Sequence, residues 1–467
     1  MKEGEWTVDN FRHAFRLGIA IAGAFTCGVI ALGCGGGSTS GPSTPISSGP
    51  PAPGTAIVDL GAPKQTIRGF GASEAWFGVL PASQIVALYG ATGNQVGLSI
   101  MRVHIAPATW NSSTKTATTS LWTSELTNAK AAQNMGAMIF ASPWSPPASM
   151  KTNGNTNEGS LSTSSYSDYA SYLKAYVNYA VSLGVNLYAV SMQNEPDFNP
   201  CVVNGVDPGP AGSNCYESCL WTAAQMDAWV AGYAPILTGG TNPVKLIMPE
   251  SYGFKTSMSE TTLNDPNAVD NVSIVGGHLY GGTPTYYANA VSKGKDVWMT
   301  EHFLKPASNG PTTAIVDTLA AAQEIHNSMT VGQYNAYVWW EGPNTTAPAV
   351  QEHLVDLNGN PTYFGFALAQ YSRFVRPGYV RYDATANPST GVYVSAYSGS
   401  GHTVIVAINT NTTAATLPVL VQNGSVASVT PYQTSSSLSI AALATIAVSK
   451  AVLKTGGACF PSRFTNG

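Results

Sequence analysis

Two glutamates close short apolar runs in this 467-residue chain: Glu195 directly follows Leu187–Asn194, and Glu301 ends Val297–Glu301. Cleavage of a glycosidic bond needs such a pair. One carboxylic acid protonates the leaving oxygen, and one carboxylate attacks the sugar carbon or activates water. Asn194 precedes Glu195, where its amide can hold a sugar hydroxyl beside the scissile bond. Arg102, near the end of another run, can hold Glu301 in its ionised form by a charge-assisted hydrogen bond. Glu195 is then the carboxyl expected to have the raised pKa, because it must carry a proton at working pH. His104, Trp144, Glu250, His278, Tyr280, His302 and Trp340 stand at or just past the ends of comparable runs. Any one of them could be a surface carboxylate or a packed core ring. Together they mark one polar, aromatic-rich mouth.

The elements that would position these residues follow from periodicity. Short apolar runs at Thr66–Gly71, Leu98–His104, Met138–Ser142, Leu187–Asn194, Val244–Pro249, Val272–His278, Val297–Glu301 and Ala336–Trp340 alternate with helical stretches. Eight such runs predict an α/β fold, a (β/α)8 TIM barrel, in which strand C-terminal ends face the active site. One connecting helix shows Tyr169, Tyr172, Leu173, Tyr176, Val177 and Ala180 at three- and four-residue spacing, with Gly184 at the cap position. A second spans Thr312 to Met329, before Gly332. After Arg376-Pro377-Gly378 the runs Val392–Tyr397, Thr403–Asn409 and Leu417–Val421 alternate without helices, which predicts an attached β-sandwich side domain. Ala56–Leu60 is expected to add a strand to it. The expected units are a leader at 1–34, a linker at 35–55, the barrel at 56–375 and the side domain at 376–467. The tail from Ser449 to Gly467 does not read as a strand.

Composition narrows the ligand. Lys plus Arg number 21 and Asp plus Glu 25, giving 10% charged residues and a net charge of -4. Ordinary globular chains carry about 25%. No basic excess supports phosphate neutralisation, so nucleic-acid binding is not expected. A neutral surface with 10 Trp and 22 Tyr suits a neutral polar polymer. The leader carries Lys2, Arg12 and Arg16, then the apolar run Leu17 to Leu32 and Ala31-Leu32-Gly33-Cys34. It reads as an export signal with a lipobox-like end, giving a lipoprotein anchored through Cys34 at the outer membrane or cell surface, or a secreted protein. A Gly/Ser/Pro/Thr-rich tether follows. Cys201, Cys215 and Cys219 crowd one insertion, where a disulfide staple is expected rather than zinc; the pairing, Cys459 included, stays open.

The ordered motifs Gly69-Phe70-Gly71, Ser99-Ile100-Met101-Arg102-Val103-His104, Ala141-Ser142-Pro143-Trp144, Gln193-Asn194-Glu195-Pro196-Asp197, His278-Leu279-Tyr280-Gly281, Trp298-Met299-Thr300-Glu301-His302 and Ala336-Tyr337-Val338-Trp339-Trp340 resemble glycoside hydrolase family 30. The likeness is strongest to its bacterial xylanase branch, which includes glucuronoxylanases, and it covers roughly residues 56 to 445. It implies a retaining, endo-acting hydrolase of β-1,4-xylan with Glu195 as acid/base and Glu301 as nucleophile. Trp76, Arg102, Trp144, Asn194, Phe198, His278, Tyr280 and Trp340 would bind substrate. No metal or cofactor is expected, and a tethered monomer needs nothing further. There are departures. Glucuronoxylanases carry a tyrosine and arginines in the loop after the eighth strand, whereas here that loop reads Glu341-Gly342-Pro343-Asn344-Thr345-Thr346-Ala347-Pro348-Ala349-Val350. It has no arginine, and a charged Glu341 would repel a glucuronate. Phe198 and Phe303 replace tyrosines common in that branch. Long loops at Ala106–Leu121 and Phe198–Leu220 leave exo action open.

Two other classes compete. A metal-dependent hydrolase would use His104, His278 and His302, but the first strand, Ile67-Arg68-Gly69-Phe70-Gly71, lacks the paired histidines such barrels carry there. A catalytically silent carbohydrate-binding protein would not need both glutamates. Within the family, a β-1,6-glucanase or β-glycosidase is the other specificity.

Overall fold

The computed structural model describes residues 51–202, 209, 215–307, 315–345 and 352–447, together with the backbone of Ile30–Ala31, Lys454–Thr455 and Phe460–Thr465. Cys34, Cys459, residues 346–350, almost all of the leader and most of the tether lie outside the described residues. Among the described residues, no helix is long and apolar enough to cross a membrane.

Strand β1 (Ala56–Thr66) precedes eight parallel strands that close on themselves: β2 (Gly69–Ser73), β3 (Ile100–His104), β4 (Met138–Ser142), β5 (Leu187–Ser191), β6 (Lys245–Ser251), β7 (Ile274–His278), β8 (Asp296–His302) and β9 (Ala336–Trp339). The last strand meets the first at Ala336↔Gly69 and Tyr337↔Phe70, which leaves the barrel without an edge. Helices α1 (Ala82–Tyr89), α2 (Thr123–Asn134), α3 (Tyr166–Ser182), α4 (Ala223–Thr238), α5 (Ser257–Asn264), α6 (Ala288–Ser292), α7 (Ile315–Thr330) and α8 (Tyr363–Ser372) surround it. Each of the eight runs read from the sequence contains or overlaps one barrel strand. Helix α3 buries Tyr169, Tyr172, Leu173, Tyr176, Val177 and Ala180, and Gly184 ends it at φ 77°, a left-handed conformation that glycine adopts without a Cβ clash.

Inside the barrel, Ile100, Phe140, Ala189, Ile247, Ile274, Trp298, Ala336 and Val338 form a separate apolar plug. Trp298 fills most of it, stacked on Tyr188 at 5.9 Å and edge-on to Phe140 at 5.8 Å. The plug fills the barrel interior with buried apolar side chains.

Strand register slips toward the C-terminal ends. Pro249 pairs with Gly276 but Ser251 with Gly277, leaving Glu250 as an extra residue at φ 56°. Gly277 pairs with Met299 but His278 with Glu301, so Thr300 is extra in β8. Such bulges re-aim side chains and recur beside active sites. A Cβ at Gly276 would lie 2.8 Å from Ile247 Cγ2 and 3.2 Å from Glu250 Cγ, so the glycine makes room for the re-aimed Glu250.

The attached domain is one connected sheet. Its order is β13 (Val419–Gln422), β1, β10 (Val380–Ala384), β11 (Val392–Gly399), β12 (His402–Asn409), β15 (Phe460–Thr465) and β14 (Ser428–Gln433), with Ala441–Ala442 and Ile446–Ala447 pairing along β14. Its own core gathers Ala56, Val58, Val394, Ala396, Ile405 and Val419. One expectation is overturned here. The tail, read as non-strand, supplies β15 between β12 and β14. The Pro and Arg in Phe460–Thr465 hide its alternation, and pairing on both sides overrides weak local propensity. The sheet joins the barrel through paired backbone bonds between Ile67 and Gly378–Tyr379 and through Gln65, which donates to Met329 O at 2.7 Å and accepts from Arg381 at 2.8 Å.

Trp298→Ala should cost about 3–5 kcal/mol, the usual loss for truncating a fully buried tryptophan. Urea denaturation would show it as a lower midpoint with an unchanged slope; an unchanged midpoint would mean that the plug is not needed.

Candidate active site

Arg102 stands at the centre of the barrel mouth with none of its surface exposed. The side chain points inward from β3. Its Nη1 donates to Glu301 Oε2, Nη2 donates to Asn194 Oδ1 at 2.6 Å and lies 3.2 Å from Glu250, and Nε donates to Ser142 Oγ at 3.2 Å. The guanidinium face covers Trp144 with Cζ 4.4 Å from the ring centroid. Burial alone would lower its pKa, but Glu250 and Glu301 outweigh this and raise it.

The carboxylates divide into two environments. Glu301, at the end of β8, accepts from Arg102 on one oxygen and from Tyr280 Oη at 3.0 Å on the other. Glu195 lies past β5 at φ 45°, its backbone N–H bound to Glu250 O at 3.0 Å. Its Oε1 is 2.9 Å from His278 Nδ1, and its Oε2 accepts from Tyr216 Oη at 3.4 Å. Burial pushes the Glu195 carboxyl up to about 6, although His278 and Arg102 pull against that shift. Glu250 is buried too, yet Arg102 and His278 hold it down at about 2. Burial disfavours charge on His278, but Glu301, Glu195 and Glu250 raise it to about 10. Two cationic side chains, Arg102 and His278, therefore stand among the three carboxyls of Glu195, Glu250 and Glu301.

One oxygen each of Glu195 and Glu301 and one His278 nitrogen lie within 4.8 Å of one another. This set could ligate a metal in principle, but Arg102 and His278 already supply its positive charge. The other two histidines of the metal hypothesis point elsewhere. His104 Nε2 is 2.8 Å from Glu217, and His302 Nδ1 is 2.8 Å from Glu324 on α7.

Aromatic rings wall the cleft. Trp76, three residues past the end of β2, lies 4.8 Å from Trp144, 5.7 Å from Trp340 and 5.2 Å from His104. On the other side Phe198 stacks on Tyr252 at 4.2 Å, and Tyr252 leans on Tyr280 at 5.1 Å. All ten site residues named from the sequence therefore stand around one cleft, with Phe198 joined to it through Tyr252.

Other partners were not anticipated. Tyr216 and Glu217 belong to the cysteine-rich insertion, read from sequence only as a stapled loop. Cys201 and Cys215 are disulfide-bonded, and Cys219 is a buried free thiol. Its described residues 215–218 turn inward, placing Tyr216 on Glu195 and Glu217 on His104. Lys151, from the loop after β4, pins it by donating to Ser218 O, to Thr156 O at 3.0 Å and to Ser145 Oγ at 3.1 Å. The apolar burial of this segment gave no periodic signal; Tyr216-Glu217 beside a cysteine was the available hint.

Glu341 requires a correction. The sequence reading made it a charged, repelling carboxylate, but its side chain is buried, 3.7 Å from His353 Nδ1. Burial and then Glu352, Glu301 and Glu74 push its pKa well above the usual carboxylate range, so it holds its proton. Charge repulsion from this residue is therefore lost as an argument.

His278→Gln removes the positive charge that helps to lower Glu195. Glu195 should then titrate above about 6, a shift readable by carbon NMR on glutamate labelled at the side-chain carboxyl. A downward shift would contradict the assigned environment.

A profile of the glycosyl hydrolase family 30 TIM-barrel domain matches residues 111–298. Glucuronoxylanase XynC of Bacillus subtilis is 36% identical over 392 residues, spanning 82% of this chain and 84% of that protein. Among solved structures, the glycoside hydrolase family 30 subfamily 8 xylanase Xyn30A of Clostridium acetobutylicum is 40% identical with a TM-score of 0.78, covering 89% of this chain and 100% of its own. A family 30 endoxylanase of Clostridium papyrosolvens is 36% identical with a TM-score of 0.74, covering 88% and 100%.

Proposed function

Since the chain belongs to glycoside hydrolase family 30 and is a xylanase-like glycoside hydrolase, we propose that it cleaves β-1,4-xylan by double displacement, with retention at the anomeric carbon and without requiring glucuronate side groups. The observation that carries the mechanism is the closeness of the two carboxyls, with oxygens within 4.8 Å. Retaining enzymes hold the pair about 5–5.5 Å apart, whereas inverting ones leave about 6.5–9.5 Å for a water between them.

Glu301, held by Arg102 and Tyr280, attacks the anomeric carbon while Glu195 gives its proton to the leaving oxygen. The C1–O bond breaks, and a xylosyl ester forms on Glu301. Glu195, now ionised, takes a proton from water as that water attacks C1, and Glu301 leaves. Burial supports the first role of Glu195 because it keeps the proton on the carboxyl to about 6. As the ester forms, Glu301 loses its negative charge, so Glu195 can then ionise beside Arg102 and His278 without creating an uncompensated anion.

For the substrate, the support is the set of rings around the cleft. Flat faces of Trp76 and Trp340, backed by the buried Trp144, suit the C–H faces of neutral sugars. Indifference to glucuronate rests on sequence: residues 341–350 contain no arginine or lysine to pair with an acidic branch. A second reading, release of short oligosaccharides from a chain end, is favoured by Glu217, which brings the insertion against His104 at 2.8 Å, beside the Trp76 and Trp144 rings. The leader supports export with lipid attachment at Cys34, and [3H]palmitate labelling lost in Cys34→Ala would test it.

Proton NMR of the first products from linear xylan should show the β anomer before mutarotation, with α the contradicting result. Glu301→Gln should lower kcat by a factor on the order of 10⁴ or more, the scale for removing a nucleophile. Rates on plain xylan and glucuronoxylan should agree within about threefold, less than the 1.4 kcal/mol of a tenfold preference. A strong preference for the decorated polymer would refute the indifference. Product lengths from the same digests separate endo from exo action.

A further inference from the structure

Trp76 combines two features that rarely meet. Its side chain is 45% exposed at the cleft, and its backbone sits at φ 63°, a left-handed conformation unfavourable for any residue with a Cβ. Something must hold it there. Helix α2 does so from behind the barrel wall. Glu125, in its first turn and buried, accepts the Trp76 backbone N–H on Oε1 at 2.9 Å and the His104 backbone N–H on Oε2 at 2.6 Å. One turn further along the same helix face, Asn128 accepts from Leu80 N–H at 2.9 Å and donates to Gly78 O at 2.8 Å. Helix α2 therefore grips the whole Trp76–Leu80 segment and ties it to the end of β3.

We propose that Glu125 is a positioning residue of the substrate cleft: by accepting from Trp76 and His104 with its two oxygens, it sets the loop geometry that places the Trp76 ring against Trp144 and Trp340. Glu125 touches no substrate and acts through Trp76. Both oxygens are needed. A glutamine has a single acceptor oxygen, so its amide N–H₂ would confront one of the two backbone N–H groups, leaving a buried donor unpaired. The kinetic arm of the test rests on the reading of the cleft as a xylan site.

Glu125→Gln should raise KM for xylohexaose about tenfold and change kcat by less than about twofold, as expected for losing binding that is uniform along the reaction. Trp76→Ala should raise KM by a similar factor. In the Trp76→Ala background, adding Glu125→Gln should change KM by less than about twofold, because the ring it positions is already gone. Glu125→Asp, which keeps both oxygens but withdraws them by one methylene, should give a smaller rise of roughly threefold. An unchanged KM in folded Glu125→Gln, a fall in kcat alone, or an equal further rise in the Trp76→Ala background would overturn the proposal. Should Glu125→Gln fail to fold, the Asp variant carries the test, and an unchanged KM there overturns it.

Near-UV circular dichroism gives a substrate-free readout, since the Trp76, Trp144 and Trp340 rings lie 4.8–6.0 Å apart. Glu125→Gln should perturb the same tryptophan bands as Trp76→Ala, with no further change in the double variant; an unperturbed spectrum would overturn the proposal. If the native enzyme does not cleave xylan, the functional reading fails, and the spectra still decide the role of Glu125.

Discussion

A guanidinium cannot be left alone in a protein interior, and Arg102 is fully buried at the top of the barrel. Its burial is tolerable because Glu301 and Glu250 supply charge, Asn194 and Ser142 supply acceptors, and Trp144 covers its face. The partners come from four other strands or the loops beyond them, Ser142 and Trp144 both from β4, so one cation couples β3, β4, β5, β6 and β8 at their C-terminal ends. Losing a partner would leave charge uncompensated in a dry site. The cluster is thus an all-or-none assembly, and its geometry is held far more tightly than surface ion pairs would be.

That demand explains otherwise costly features below it. Glu250 reaches Arg102 only because β6 bulges and Gly276 leaves room beside it. Glu195 takes a left-handed backbone conformation so that its carboxyl meets His278 rather than Arg102. The result is two carboxyls with opposite assignments a few ångströms apart. One is bonded to a permanent cation; the other is desolvated and keeps its proton to about 6.

Much of this was legible in the chain because barrel strands announce themselves as short apolar runs, and each ends where a chemical residue must stand. Arg102, Glu195, His278 and Glu301 are polar groups at or beside the ends of such runs, a pattern that core packing does not produce. Tyr216 and Glu217 were not legible, because they reach the site from an aperiodic insertion whose neighbouring Ser218 is held by a distant Lys151. Glu125 was hidden differently. It lies on a helix, where a glutamate ordinarily faces water, and its partners are backbone amides that leave no sequence trace. The strand Phe460–Thr465 was masked by its Pro and Arg. Glu341 was placed correctly after the eighth strand but given the wrong charge, since burial, not residue type, decides its protonation.

The central claim is that Glu301, bonded to Arg102 and Tyr280, forms the covalent bond to the sugar. A 2-deoxy-2-fluoro-β-xylobiosyl fluoride slows both steps and lets the ester accumulate. Incubation with the enzyme, peptic digestion and tandem mass spectrometry would locate the sugar. The account predicts a single labelled peptide modified at Glu301, absent in Glu301→Gln. A label on Glu195, Glu250 or Glu341, or turnover of the probe with no covalent adduct, would contradict it.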